Sequence, residues 1–220
     1  MADNYLEKRE EELRSAPRAH RPSAAAAKSL DSLLLRCRST RGYDKSYVVH
    51  ELQLKAIISV ADKVPTARNQ QVLRFRLVLK DEAHKVLPHI GMGRALPQLH
   101  LPFEGTEPEA FIVFCTGRPD APHLGFDEGI MAQSMLLKAA QLGLSGLIIK
   151  NFNPARLSES LSLGSDPEGR PYQPLTVLAI GKGIEKFRLV PVSPGEKLDY
   201  WRDSDGTHCV PKIRPEDLVI

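Results

Sequence analysis

Cys37-Arg38-Ser39-Thr40-Arg41-Gly42-Tyr43-Asp44 sets two guanidinium groups around two hydroxyls. It follows Ser29 to Arg36, where Leu30, Leu33, Leu34 and Cys37 fall at helical spacing. Arg36, Arg38 and Arg41 therefore crowd together where that helix ends. Cations there meet the negative end of the helix dipole, which is one use for them. The other is a phosphate clamp, because guanidinium forks match phosphate oxygens and hydroxyls add further bonds. The cluster alone leaves both uses open.

Around this stretch lies a chain of 220 residues, long enough for one sizeable core and short for two catalytic domains. Its 42% hydrophobic and 26% charged residues place it among ordinary globular proteins. A net charge of +3, without runs of like charge, argues against nucleic acid or a membrane surface as partner. The start, from Met1 through Tyr5 and Glu7 to Arg9, is too charged for a signal peptide. No apolar run reaches membrane-spanning length, so the expected location is cytoplasmic. Cys37, Cys115 and Cys209 are odd in number and far apart, forming neither a zinc motif nor a disulfide framework. The seven histidines show no ligand spacing, so no metal is expected. Cys115, inside Phe111-Ile112-Val113-Phe114, reads as a small buried hydrophobe. Cys37 is expected to pack on the leucine face, although nearby arginines would lower its thiol pKa.

In chain order, residues 1–28 read as an N-terminal charged arm interrupted by Pro17 and Pro22, and residues 29–220 as one domain. A helix is expected over His50 to Lys63 and a strand over Arg74 to Lys80, then a short helix from Asp81 to Ile90. Gly91 to Glu109 reads as a long loop, and Ala110 to Thr116 as a central strand buried on both faces. Asp127 to Leu142 is the most helical segment. Its wet stripe is Ser134, Lys138 and Gln141, and the rest, Gln133 included, is expected to be buried. Leu147 to Ile149 and Leu175 to Ile180 read as strands, with a helix from Asn153-Pro154 to Leu161 between them. In the tail, Tyr200 and Trp201 are expected as packing anchors, His208 on the surface, and Asp217 to Ile220 strand-like. Phe103 and Phe126, flanking the loops, offer rings for a substrate. Helices and strands mix without regular alternation, which predicts an α+β fold with a mostly antiparallel or mixed sheet. Gly181-Lys182-Gly183 is too little for a dinucleotide fingerprint, so a Rossmann domain is excluded.

Two further stretches matter beside the arginine cluster: Pro65-Thr66-Ala67-Arg68-Asn69-Gln70-Gln71, and Val210-Pro211-Lys212-Ile213-Arg214-Pro215. With Arg38-Ser39-x-Arg41 they resemble, in order and separation, the FMN-dependent nitroreductase family, from Ser29 to the C-terminus. The resemblance implies an α+β sandwich with a mainly antiparallel sheet flanked by helices, and an entwined homodimer with FMN sites at the interface. It implies hydride transfer from NADH or NADPH through FMN, in ping-pong fashion, to a nitroaromatic, quinone or similar small acceptor. It puts the stretch of Cys37, Arg38, Ser39, Thr40 and Arg41 along the FMN phosphate and ribityl chain, where Lys212 and Arg214 close on the phosphate. Thr66, Ala67 and Asn69 would reach the flavin from the neighbouring subunit. Lys150 and Asn151 would end the strand lining one flavin face, with the Asn151 N–H on the nitrogen that accepts hydride. No side chain is assigned as catalytic, because the flavin carries the chemistry.

Three departures from the family pattern stand out. Cys37 replaces a common Arg, Val72-Leu73 replaces Pro-Trp, and Lys150-Asn151 replaces an acidic or small residue followed by Gly. Lys150 either stabilises an anionic reduced flavin or points to solvent. Rival readings are a dehalogenase-like relative that removes a ring substituent, a flavin carrier or sensor without turnover, and a flavin-free dimer serving as an interaction module.

Overall fold

The computed structural model describes residues 29–93 and 99–220. Its centre is a four-stranded antiparallel sheet of β1 (Arg74–Val78), β2 (Ala110–Thr116), β3 (Ser145–Ile149) and β4 (Gln173–Gly181), in the order β1-β2-β4-β3. Every residue of β2 is buried, which explains why this strand has no polar alternation: both of its faces are covered. Ile112 and Phe114 point to one layer, with Leu54 and Ile57 of helix α2 (Glu51–Ile58) and Met131 and Met135 of helix α3 (Leu124–Gln141). Phe111, Val113 and Cys115 point to the other, with Leu157 and Leu161 of helix α4 (Pro154–Leu161). The α+β sandwich expected from the sequence is the architecture found.

The stretch from Cys37 to Asp44 follows helix α1 (Leu30–Arg36) and lies along the outer edge of β3. Ser39 forms a parallel bridge with Gly146, and the Thr40 N–H donates to the Gly146 carbonyl at 3.0 Å. The buried Tyr43 hydroxyl donates to the Thr40 carbonyl at 2.7 Å and so pins the stretch from below. Gly146 has to be glycine. A Cβ there would lie 2.5 Å from Leu136 Cδ2 and 2.7 Å from the Ala179 carbonyl oxygen.

A second sheet forms from the tail: β5 (Phe187–Val192), β6 (Trp201–Arg202) and β7 (His208–Ile213), in the order β5-β7-β6, with β5 parallel to β7. Pro191 and Pro211 hide these strands from a sequence reading, because proline argues against strand. Here Pro211 lies beyond the two residues that β6 pairs, where the second edge of β7 is unpaired among the described residues. The strand expected at Asp217 to Ile220 is instead the 3₁₀ turn Pro215–Leu218 followed by exposed residues, since Pro215 favours a helical first position.

Other expectations change in detail. Helix α2 stops at Ile58 and tightens into the 3₁₀ turn Ser59–Asp62, and the helix expected over Asp81 to Ile90 is two 3₁₀ pieces, Lys80–Lys85 and Leu87–His89. The outer face of α3 is partly apolar: Phe126 is 71% exposed and Ile130 40%, while Gln133 is exposed against expectation and Gln141 as expected. Ser134 and Lys138 are instead half-buried, with the Ser134 hydroxyl turned back onto the Ile130 carbonyl at 2.7 Å. The 1–28 arm and residues 94–98 of the long loop lie outside the described residues. Among those described, no helix is long and apolar enough to cross a membrane.

Candidate functional site

The two arginines of the opening stretch have different fates. Arg38 donates from Nε to the Cys37 carbonyl at 2.8 Å and from a terminal nitrogen to the Leu34 carbonyl at 2.6 Å. It therefore caps the C-terminal carbonyls of α1, the use that the helix dipole favours. Arg41 is held by its backbone, whose N–H donates to Glu185 Oε2 at 2.5 Å, and one terminal nitrogen donates to the Ser39 carbonyl at 3.1 Å. Its guanidinium lies over the Tyr200 ring at 5.6 Å, and its buried Nε has no acceptor among the described residues. Ser39 is exposed, while Thr40 is buried with its hydroxyl donated to the Arg38 carbonyl at 3.1 Å. Cys37 packs against the α2–α3 core, and Gln133 Nε2 lies 3.8 Å from its sulfur. Burial pushes the Cys37 thiol pKa up and outweighs the nearby Arg38, the reverse of the shift expected from the sequence.

The Thr66-to-Gln71 segment is a strained turn. Arg68, Asn69 and Gln71 have φ of 52°, 50° and 45°, a left-handed conformation that costs a side-chain-bearing residue about 1–2 kcal/mol. Asp127, buried in the first turn of α3, holds the turn in place. Its Oδ1 accepts the Ala67 N–H at 2.7 Å and its Oδ2 accepts Gln70 Nε2 at 2.9 Å. Gln70 also donates to the Pro122 carbonyl at 2.7 Å, and Gln71 Nε2 to Asn69 Oδ1 at 2.9 Å. Thr66 Oγ1 is buried without a partner among the described residues. Sequence reasoning missed Asp127, although a carboxylate in the first turn of an otherwise apolar helix was a visible signal.

Beyond β3, the Lys150 side chain is largely exposed but its ammonium is tied to the protein. Its ammonium donates to Glu128 Oε1 at 2.5 Å, to the Leu175 carbonyl at 2.6 Å and to Thr176 Oγ1 at 3.3 Å. Asn151 follows, its carbonyl accepting the Gly91 N–H at 2.8 Å. A Cβ on Gly91 would fall 2.2 Å from Asn151 Nδ2, so the long loop presses close against this residue. Consecutive carboxylates of α3, Asp127 and Glu128, thus tie down the two segments on either side of its N-terminus.

Lys212 and Arg214 are exposed, one near the end of β7 and one just past it. The end of β7 nearest Arg41 is His208, whose ring lies 4.9 Å from that of Tyr200. Four residues of strand put Lys212 roughly 13 Å further along. His208 is not on the surface as expected: it is 3% exposed, its ring tilted against Phe187 and Tyr200, with neither ring nitrogen bonded among the described residues. Burial lowers its pKa, Arg202 and Arg41 lower it further, and Glu185 opposes them. Glu185 also pairs with Arg202, whose guanidinium lies over Phe103 at 5.6 Å. Trp201 is 42% exposed and so anchors less than expected.

Beside the strained turn is an open pocket of about 180 Å³, lined by Gln70, Gln71, Arg74, Arg118, Arg170 and Tyr172 among others. Among the described residues no cluster could hold a metal ion.

A model of the nitroreductase family matches residues 34–182, more than half of the chain. A comparison with curated proteins finds no match. Among solved structures, the FMN and NADPH-dependent nitroreductase NfnB from Sphigopyxis sp. strain HMH aligns with a TM-score of 0.57 at 18% identity, over 71% of this chain and 89% of that one. A nitroreductase family protein from Clostridium difficile 630 aligns with a TM-score of 0.53 at 23% identity, over 74% and 87% of the two chains. One from Streptococcus pneumoniae TIGR4 gives 0.57 at 15% identity, over 77% and 96%. At such identities these structures speak for the fold, and the family model speaks for descent. The chain belongs to the nitroreductase family.

Proposed function

We propose that the protein is an FMN oxidoreductase that takes hydride from NADH or NADPH and passes it to a small acceptor such as a nitroaromatic or quinone. The observation that carries this reading is a pair of orphaned buried groups, Thr66 Oγ1 and Arg41 Nε, in two of the segments the family uses for FMN. A buried hydroxyl or guanidinium N–H without a partner loses its hydration for nothing in return, and FMN offers ribityl hydroxyls and phosphate oxygens to meet them. The residues present fit the group. When bound, FMN supplies the hydride chemistry, and the chain orients it.

In this reading Arg41, Ser39, Lys212 and Arg214 hold the phosphate, whose charge is roughly −1.5 to −2. Arg38, committed to α1, sets the backbone of the clamp instead. Thr66, Ala67 and Asn69 meet the ribityl chain and ring edge, and the Asn151 N–H faces the ring. The protein acts as a homodimer. Support comes from the exposed Phe126 and Ile130 on α3, with Leu30, Leu34 and Leu35 on α1.

The test is the visible spectrum of the purified protein without oxygen, before and after NADPH and then NADH. A flavin spectrum that bleaches with either is the expected result. A flavin spectrum that bleaches with neither favours a carrier, and a protein that stays colourless after adding FMN overturns the reading.

A further inference from the structure

Where nitroreductases commonly carry an acidic or small residue ahead of the ring-facing amide, this chain carries Lys150, and the structure gives that lysine a dedicated partner. The Glu128 side chain is 13% exposed, and Thr176 beside it is 1% exposed. So enclosed a carboxylate needs a counter-charge, because an unpaired ion there would lose most of its hydration. Lys150 provides it at 2.5 Å, and the Leu175 carbonyl and Thr176 hydroxyl complete a set of three acceptors for the three ammonium donors. The Thr176 hydroxyl also hydrogen-bonds Glu128. The Lys150 side chain remains 60% exposed, so the pair sits at the boundary of the body, where a ring laid over Lys150 and Asn151 would cover it.

We infer that Glu128 and Lys150 form a charge-compensated pair beneath the flavin, and that Glu128, as a positioning residue, sets the flavin's reduction potential by neutralising Lys150. This rests on the FMN reading above. Two-electron reduction places additional negative charge on the ring. An ammonium close by favours that charge, a carboxylate opposes it, and covering the pair excludes the water that would screen either. Paired, the two nearly cancel. Unpaired, they pull in opposite directions.

The experiment measures the midpoint potential of bound FMN, at mildly alkaline pH, in the wild type, Glu128→Gln, Lys150→Met and the double variant. Glu128→Gln is expected to raise the potential, Lys150→Met to lower it, and the double variant to return close to the wild type. General loosening of the site would move both single variants the same way and would persist in the double. Single variants that shift together, or do not shift, overturn the inference while leaving the FMN reading intact. A wild type that takes up no FMN overturns the parent reading. Should a single variant lose its flavin, thermal unfolding of the four FMN-free proteins tests the pair itself: the double variant loses less than the sum of the singles, and simple additivity overturns the pairing.

Discussion

His208 has two aromatic rings against it and two arginines near it, so acquiring a proton in the folded state is unfavourable. Its folded pKa lies below the ordinary histidine value, so the unfolded chain binds the proton first. The stability this burial supports is whole above about pH 6.5, the unfolded pKa, and is lost as pH falls through the folded value. Urea midpoints across that window should fall with pH in the wild type, and the fall should flatten in His208→Phe. A steric prediction belongs to Gly146. Since its Cβ would meet a carbonyl as well as Leu136, Gly146→Ala should lose about 1–3 kcal/mol in denaturant unfolding. At this scale the sequence revealed the cations and not their uses. Arg38 and Arg41 look equivalent as text; one caps a helix, and the other is left with a bare buried nitrogen, a difference only the path of the chain decides.

The helices and the main-sheet strands were legible because each carries its own period or apolar run. What the sequence could not convey was the strained turn at Arg68, Asn69 and Gln71, because only asparagine among them hints at a left-handed backbone. The turn persists in good part because Asp127, sixty residues on, supplies two of the acceptors that fix it. Replacing Asp127 by Ala should cost about 1.5–3 kcal/mol, the range for hydrogen bonds to a charged group. The same change should weaken FMN retention, read by flavin released on dialysis. Unaltered retention would separate the turn from the cofactor. In the tail, Pro191 and Pro211 concealed two strands whose edges tolerate them, so pattern reading failed where proline happened to be harmless.

At the scale of the molecule, order and mixture of elements were enough to indicate an α+β sandwich, and the motif set was enough to indicate the family. The second sheet was not anticipated. The apolar outer stripe of α3 has a physical consequence for assembly, because exposed Phe126 and Ile130 are a costly face to leave wet. Light scattering should give twice the chain mass for the wild type and one chain mass for Ile130→Asp combined with Phe126→Asp. A wild-type monomer would sink the homodimer. The main sheet is locked between two apolar layers to which β5, β6 and β7 contribute no residue, and the tail meets the body at Glu185 with Arg41 and Gly42, at Tyr200 under Arg41 and at Arg202 over Phe103. Such unequal anchoring predicts two opening units. Amide hydrogens of Phe187–Val192 and His208–Ile213 should exchange together, by a sub-global opening that leaves Ala110–Thr116 protected until complete unfolding. In the proposed FMN reading, Lys212 and Arg214 ride on the part of the chain expected to let go first, so the lifetime of a bound cofactor should follow the opening rate of that part rather than the stability of the core.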